Sequence, residues 1–147
     1  MTDRDDLLFI YGTLKAASGH PLGQLLRDNA TYVGSGSIQA RLYIVTEFDE
    51  QGPNSYPGAL PSPDPGDRVH GEVWRVNDPN AVWPALDRHE ACSDDWPEPH
   101  EFRLSRVPVA MDDGRRLLAQ SYLYAWDVTG ALPVPSGRFD EVAPTVR

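Results

Sequence analysis

Glu90 follows Leu86 by four residues, Leu86 follows Val82 by the same interval, and Trp83 lies between them. On a helix this spacing gathers the apolar residues into one stripe, and an acid then stands where the next apolar residue should fall. Burial disfavours the ionised carboxylate, and so does the negative end of a helix. A glutamate at that place therefore has its pKa raised toward the range where proton transfer works near neutrality. A second reading stays open, in which the helix ends a residue earlier and Glu90 points to water beside Asp94 and Asp95. Asp87, one turn back, either orients Glu90 and raises its pKa by like-charge repulsion or is a helix-surface aspartate.

The second group is Tyr11-Gly12-Thr13-Leu14. A strand that ends at Tyr-Gly can enter a turn whose successive backbone N–H groups aim at one point, a receptor for a carboxylate or an oxyanion, and Thr13 adds a hydroxyl. The same residues also suit an ordinary glycine turn that closes a core strand.

Other templates fail. Gly34-Ser35-Gly36 has Gln39 where a dinucleotide fingerprint needs its third glycine, so it reads as a turn. The histidines at 20, 70, 89 and 100 share no metal-ligand spacing, and Cys92 is a lone cysteine outside any nucleophile context. No Gly-x-Ser-x-Gly elbow is present. The expectation is a site without metal or cofactor.

The elements that must position these groups are short. Leu7 to Tyr11 reads as a buried strand, His20 to Leu26 as a brief helix with Pro21 at its first turn, and Ala40 to Val45 as a strand. Asp49 to Asp67, rich in Pro, Gly and Asp, reads as loop, and Arg68 to Val76 resumes a strand. Asn77 or Asp78 caps a helix that starts at Pro79 and runs to about Glu90. Cys92 to Pro99 is another loop. Phe102 to Met111 and Leu117 to Trp126 form two strands joined by a hairpin at Asp113-Gly114. Beyond Val128 the prolines 133, 135 and 144 interrupt any periodicity, and this tail either wraps the body or hangs loose.

These elements predict a mixed α/β (α+β) domain: a small curved sheet or barrel of about five to six strands with short flanking helices. The 147 residues suit one domain, with a core over about 7–128 and a Pro-containing tail over 129–147. The 14 prolines and 12 glycines also favour a turn-rich fold over a helical bundle. A net charge of −9 repels phosphate backbones and makes nucleic acid a poor partner. No apolar run approaches the roughly 18 residues of a membrane span, and the acidic start, Asp3 to Asp6, is no secretory leader. The expected setting is the cytoplasm.

The two groups occur together with further segments in a fixed order. Tyr56-Pro57-Gly58-Ala59 and Val69-His70-Gly71-Glu72-Val73-Trp74 lie between them; Phe102-Arg103 and Ser121-Tyr122-Leu123-Tyr124 follow. In this order, over about residues 7 to 126, the chain resembles the γ-glutamylcyclotransferase-like (AIG2-like) proteins. Their marks are Y-G-[ST]-L on the first strand and a later helix ending L-D-x-x-E. The resemblance implies a small mixed barrel and a cofactor-free reaction that closes a γ-glutamyl amide into 5-oxoproline and frees its amine. It assigns Glu90 the general acid/base role and Tyr11, Gly12, Thr13 and Leu14 the glutamyl group. Phe102 stands where the family often has Tyr, and Ala91 where it often has Gly. Asp94, Asp95 and Glu98 would rim the site with negative charge, which favours a γ-glutamyl-amine with a positive tail. The implied partner is thus a small γ-glutamyl substrate, the protein acting as a monomer or small homo-oligomer. The competing possibility is a binding module for a small carboxylate or amide that performs no turnover.

Overall fold

The computed structural model describes residues 7–11, 21–49, 52–89 and 102–138. Their elements are β1 (Leu7–Ile10), α1 (Pro21–Asn29), β2 (Ala30–Asp49), β3 (Gly52–Pro61), β4 (Arg68–Val76), α2 (Pro79–His89), β5 (Phe102–Met111), β6 (Arg116–Tyr124) and β7 (Leu132–Val134).

Five strands close into a barrel in the order β2-β4-β1-β6-β5, with β5 returning to β2 at Gly36↔Met111 and Ser37↔Ala110. Among the described residues only β1 and β6 pair in parallel, at Leu8↔Gln120. The long β2 serves two sheets. Its first half pairs with β4, from Ala30↔Val76 to Gln39↔Arg68, and its second half pairs with β3, from Ala40↔Pro61 to Asp49↔Gly52. Strand β7 takes the opposite edge from β3, at Leu42↔Val134.

Strand alternation sorts the apolar side chains into two cores. Phe9, Ile38, Val69, Val73, Val109 and Ala119 fill the barrel. Leu8, Ile10, Trp74 and Val76 face outward and are covered by Leu26 of α1 and by Val82, Trp83 and Leu86 of α2. Both faces of β1 are thus buried, which is why its sequence is an uninterrupted apolar run.

The barrel, the presence of both helices and the Asp113-Gly114 hairpin agree with the sequence reading; two segments do not. Residues 52–61, expected as loop, form β3 despite Pro53, Pro57 and Pro61, and among the described residues β2 is its only ladder partner. Prolines are tolerated there because a strand bonded along one edge need not donate from the other. Gly34-Ser35-Gly36 lies within β2, where the ladder shifts between Tyr32 and Gly34, so a β-bulge replaces the expected turn. The strand expected at 40–45 therefore extends over 30–49. Of the two courses expected for the tail, its described part, 129–138, takes the first and lies on the body, adding β7 to β2 and receiving the N–H of His70 at the Gly137 carbonyl at 2.8 Å. Helix α1 also runs to Asn29 rather than Leu26.

Candidate active site

Strand β1 delivers Tyr11 to one end of the barrel, 6% exposed. Its hydroxyl donates to the Tyr122 carbonyl at 2.6 Å and accepts the Ala59 N–H at 3.2 Å. One phenol oxygen thereby ties β3 to β6 across the end of β1. Behind it, the buried Ser121 hydroxyl donates to the Phe9 carbonyl at 3.1 Å and fixes β1 against β6.

Two close approaches shape the same end. A methyl at Gly71 would overlap the Ile10 carbonyl oxygen and lie 2.8 Å from the Phe9 ring, so the missing side chain lets β1 leave the sheet where it does. A methyl at Gly58 would lie 3.0 Å from the Tyr124 ring, which itself meets Phe102 edge-on at 5.4 Å and 76°. Trp74 donates its indole N–H to Glu72 at 3.2 Å, accounting for an acid within the half-buried outer face of β4.

Asp78 is the cap of α2: its side-chain and backbone oxygens accept the Ala81 N–H, and its carbonyl also accepts that of Val82. Pro79 then starts the helix, which continues through the exposed Pro84. Val82, Trp83 and Leu86 are buried as the spacing predicts, in one cluster with Ile10, Phe102, Tyr122 and Tyr124. The buried stripe of α2 thus packs into the same core layer as Ile10, the last residue of β1. Among the residues expected to act, only Tyr11 is described. Gly12, Thr13, Leu14 and Glu90 lie outside the described residues, as do the side chain of Asp87 and the loop over 92–99.

Sequence reasoning assigned no role to Ala59, Tyr122 or Tyr124. Tyr122 and Tyr124 are two apart on one strand and so share a face, which was a readable signal. The Ala59 contact was not readable, because its strand was hidden among prolines. The resolved electrostatics lie elsewhere: the Asp67 carboxyl is held below its ordinary range by the Ser62 hydroxyl and Arg41, Asp113 by the Arg115 backbone and side chain, and Asp127 by Thr129. Among the described residues no cluster of three or more His, Cys, Asp or Glu is placed to hold a metal ion. No described helix is long and apolar enough to cross a membrane.

A family model for gamma-glutamyl cyclotransferase, AIG2-like, matches residues 8–141. The chain belongs to this family. The γ-glutamyl cyclotransferase-like fold is seen in solved structures as well. An AIG2-like protein of Mus musculus is 22% identical, with 98% of this chain and 95% of that one covered at a TM-score of 0.67. An uncharacterized protein of Pyrococcus horikoshii is 22% identical, covering 92% and 90% at 0.58. A structure described as gamma-glutamyl cyclotransferase is 22% identical, covering 88% and 71% at 0.59. At such identities these likenesses concern the fold. No curated protein matches the chain.

Proposed function

We propose that this γ-glutamyl cyclotransferase-like protein is an enzyme that converts a γ-glutamyl-amine, or a related small γ-glutamyl amide, to 5-oxoproline and the free amine. The observation that carries the proposal is the meeting of Tyr11 with Ala59 and Tyr122, which joins three of the family-like segments at the end of β1. The buried stripe of α2 in the same layer supports it, since Glu90 is the next position on that stripe.

In the proposed reaction the turn Tyr11 to Leu14 holds the glutamyl end through backbone N–H groups. Glu90 removes a proton from the α-ammonium, and the freed amine attacks the γ-carbonyl carbon of the same molecule. A new C–N bond closes the five-membered ring, Glu90 passes the first proton to the departing nitrogen as the old amide C–N bond breaks, and the second proton of the ring nitrogen then leaves to the freed amine or to solvent. Because nucleophile and electrophile are already joined, holding the folded conformer supplies much of the acceleration, and one carboxyl group suffices for the protons. The reading needs no metal or cofactor. It takes the chain as one domain, with its core over about 7–128 and its tail over 129–147, working in the cytoplasm as a monomer or small homo-oligomer.

The test is release of 5-oxoproline from a panel of γ-glutamyl amines by the purified protein, with Glu90→Gln beside it. The variant should be slower by at least about a hundredfold, the usual contribution of a positioned acid/base group. Tight binding of 5-oxoproline without product from any amide would replace the enzyme by a binding module, and free glutamate as product would replace cyclisation by hydrolysis.

A further inference from the structure

Strand β4 changes neighbours at the end of β1. The two strands pair from Leu7↔Arg75 to Ile10↔Glu72, and two residues further along β4 a continued β1 would set residue 12 against His70. The N–H of His70 goes instead to the Gly137 carbonyl, at 2.8 Å. Alternate residues of an antiparallel strand bond to opposite sides. The Ser35 carbonyl accepts the Asp112 N–H, toward β5, so Glu72 opposite Ser35 bonds on the β1 side, and so does His70 two residues away. Gly137 therefore holds the same edge of β4 that β1 holds up to Glu72.

Only a glycine fits there. A methyl at 137 would overlap the Arg68 carbonyl oxygen and lie 3.3 Å from the Val69 Cα, and the φ of 68° is left-handed. The segment that delivers this carbonyl is anchored: β7 pairs with β2 over Leu42 to Ile44, and the Gly137 N–H closes a turn onto the Val134 carbonyl at 3.0 Å. Strand β1 is held more sparingly. Among the described residues it has four ladder pairs with β4 and a single one with β6.

We propose that Gly137 is a positioning residue for substrate binding that acts through Tyr11, which rests on the reading of Tyr11 as the start of the glutamyl-binding turn. By occupying the His70 N–H, Gly137 stops β1 from lengthening along β4. Tyr11 then sets its phenol on the Ala59 N–H and the Tyr122 carbonyl, at 3.2 and 2.6 Å, instead of joining the ladder. A lengthened β1 would have to displace Gly137 and its turn before gaining its first new bond, and one such bond has only a modest net worth. The C-terminal segment thereby serves the site without contributing a group to the reaction.

The experiment sets Gly137→Ala beside Gly130→Ala in the full chain. Both glycines have a positive φ, but a methyl at 130 meets nothing within 4 Å. Gly137→Ala should raise KM for the γ-glutamyl amide about tenfold with kcat near the parent value, and Gly130→Ala should leave both unchanged. A fall in kcat at parent-like KM would reduce Gly137 to a structural residue, and equal changes of KM in both variants would make backbone strain the cause; either overturns the proposal. Hydrogen exchange of the unaltered protein in sub-denaturing urea needs neither a variant nor turnover. The amides of His70 and Ala59 should open together, with one dependence on urea, because release of Gly137 frees Tyr11. Separate openings would overturn the proposal. A parent that releases no 5-oxoproline from any amide would defeat the enzyme reading alone, and the exchange pair would still decide the hold of Gly137 on Tyr11.

Discussion

The phenol oxygen of Tyr11 accepts the N–H of Ala59 at 3.2 Å from a strand 48 residues away in sequence. The same hydroxyl gives its proton to the Tyr122 carbonyl at 2.6 Å. Phe in place of Tyr11 keeps the ring and removes both bonds, leaving two backbone groups short of a partner in a buried place. Tyr11→Phe should therefore cost about 2 kcal/mol in urea unfolding, the scale of a buried polar group left unsatisfied. A variant as stable as the parent would show that the junction is held by packing alone.

Gly71 and Gly114 separate two costs of losing a glycine. Alanine at 71 would place its methyl on the Ile10 carbonyl oxygen and 2.8 Å from the Phe9 ring, so the end of β1 must move. Alanine at 114 meets nothing within 4 Å, although the φ of 94° there disfavours any side chain. Gly114→Ala should cost about 1 kcal/mol, whereas Gly71→Ala should cost about 3 kcal/mol or more. Only Gly71→Ala should also weaken substrate turnover, because the displaced Ile10 carbonyl leads directly into Tyr11. Equal losses of stability and parent-like kinetics in both variants would break the link between Gly71 and the site.

Much of this was legible because period and burial agree. The stripe Val82, Trp83, Leu86 is buried, Pro79 and Asp78 start the helix, and Asp113-Gly114 turns the hairpin. Strand β3 was hidden because local composition argues for loop, while the ladder with β2 that makes it a strand is a pairing between segments. Gly34-Ser35-Gly36 misled for a related reason: glycines also serve a bulge, and a bulge in a long strand resembles a turn in sequence. At the site, the motif order named Tyr11, but only the fold joins it to Ala59 and Tyr122.

The Asp67 carboxyl offers a pH prediction with a definite sign. It is held below its ordinary 3.8, first by the Ser62 hydroxyl and then by Arg41. A carboxyl lowered in the folded state stabilises the fold above the unfolded value, and that contribution fades as pH falls below 3.8 through the folded value. Solvent reaches and screens this partly exposed group, so the effect on stability is small and is best read at the residue itself. In a pH titration followed by the Asp67 carboxyl carbon, Ser62→Ala should move the midpoint back toward 3.8 further than Arg41→Gln does. The opposite order would make the ion pair the main cause.

The last prediction concerns the acid/base role proposed for Glu90. To take a proton from the α-ammonium, Glu90 must be ionised in the substrate complex, so kcat should fall on the acid side through its pKa. If Glu90 continues the buried stripe of Val82, Trp83 and Leu86, that limb should lie above the value of about 4.3 that a solvated glutamate has, because burial disfavours the charged form. Glu90→Asp withdraws the carboxyl by one methylene and should lower kcat while leaving KM near the parent value, since the turn at Tyr11 to Leu14 binds the glutamyl end. Glu90→Gln should lose the acid limb together with at least about a hundredfold in rate. An acid limb near 4.3 in the parent would mean that the proton carrier is a solvated carboxyl, and an unchanged limb in Glu90→Gln would assign it to another group.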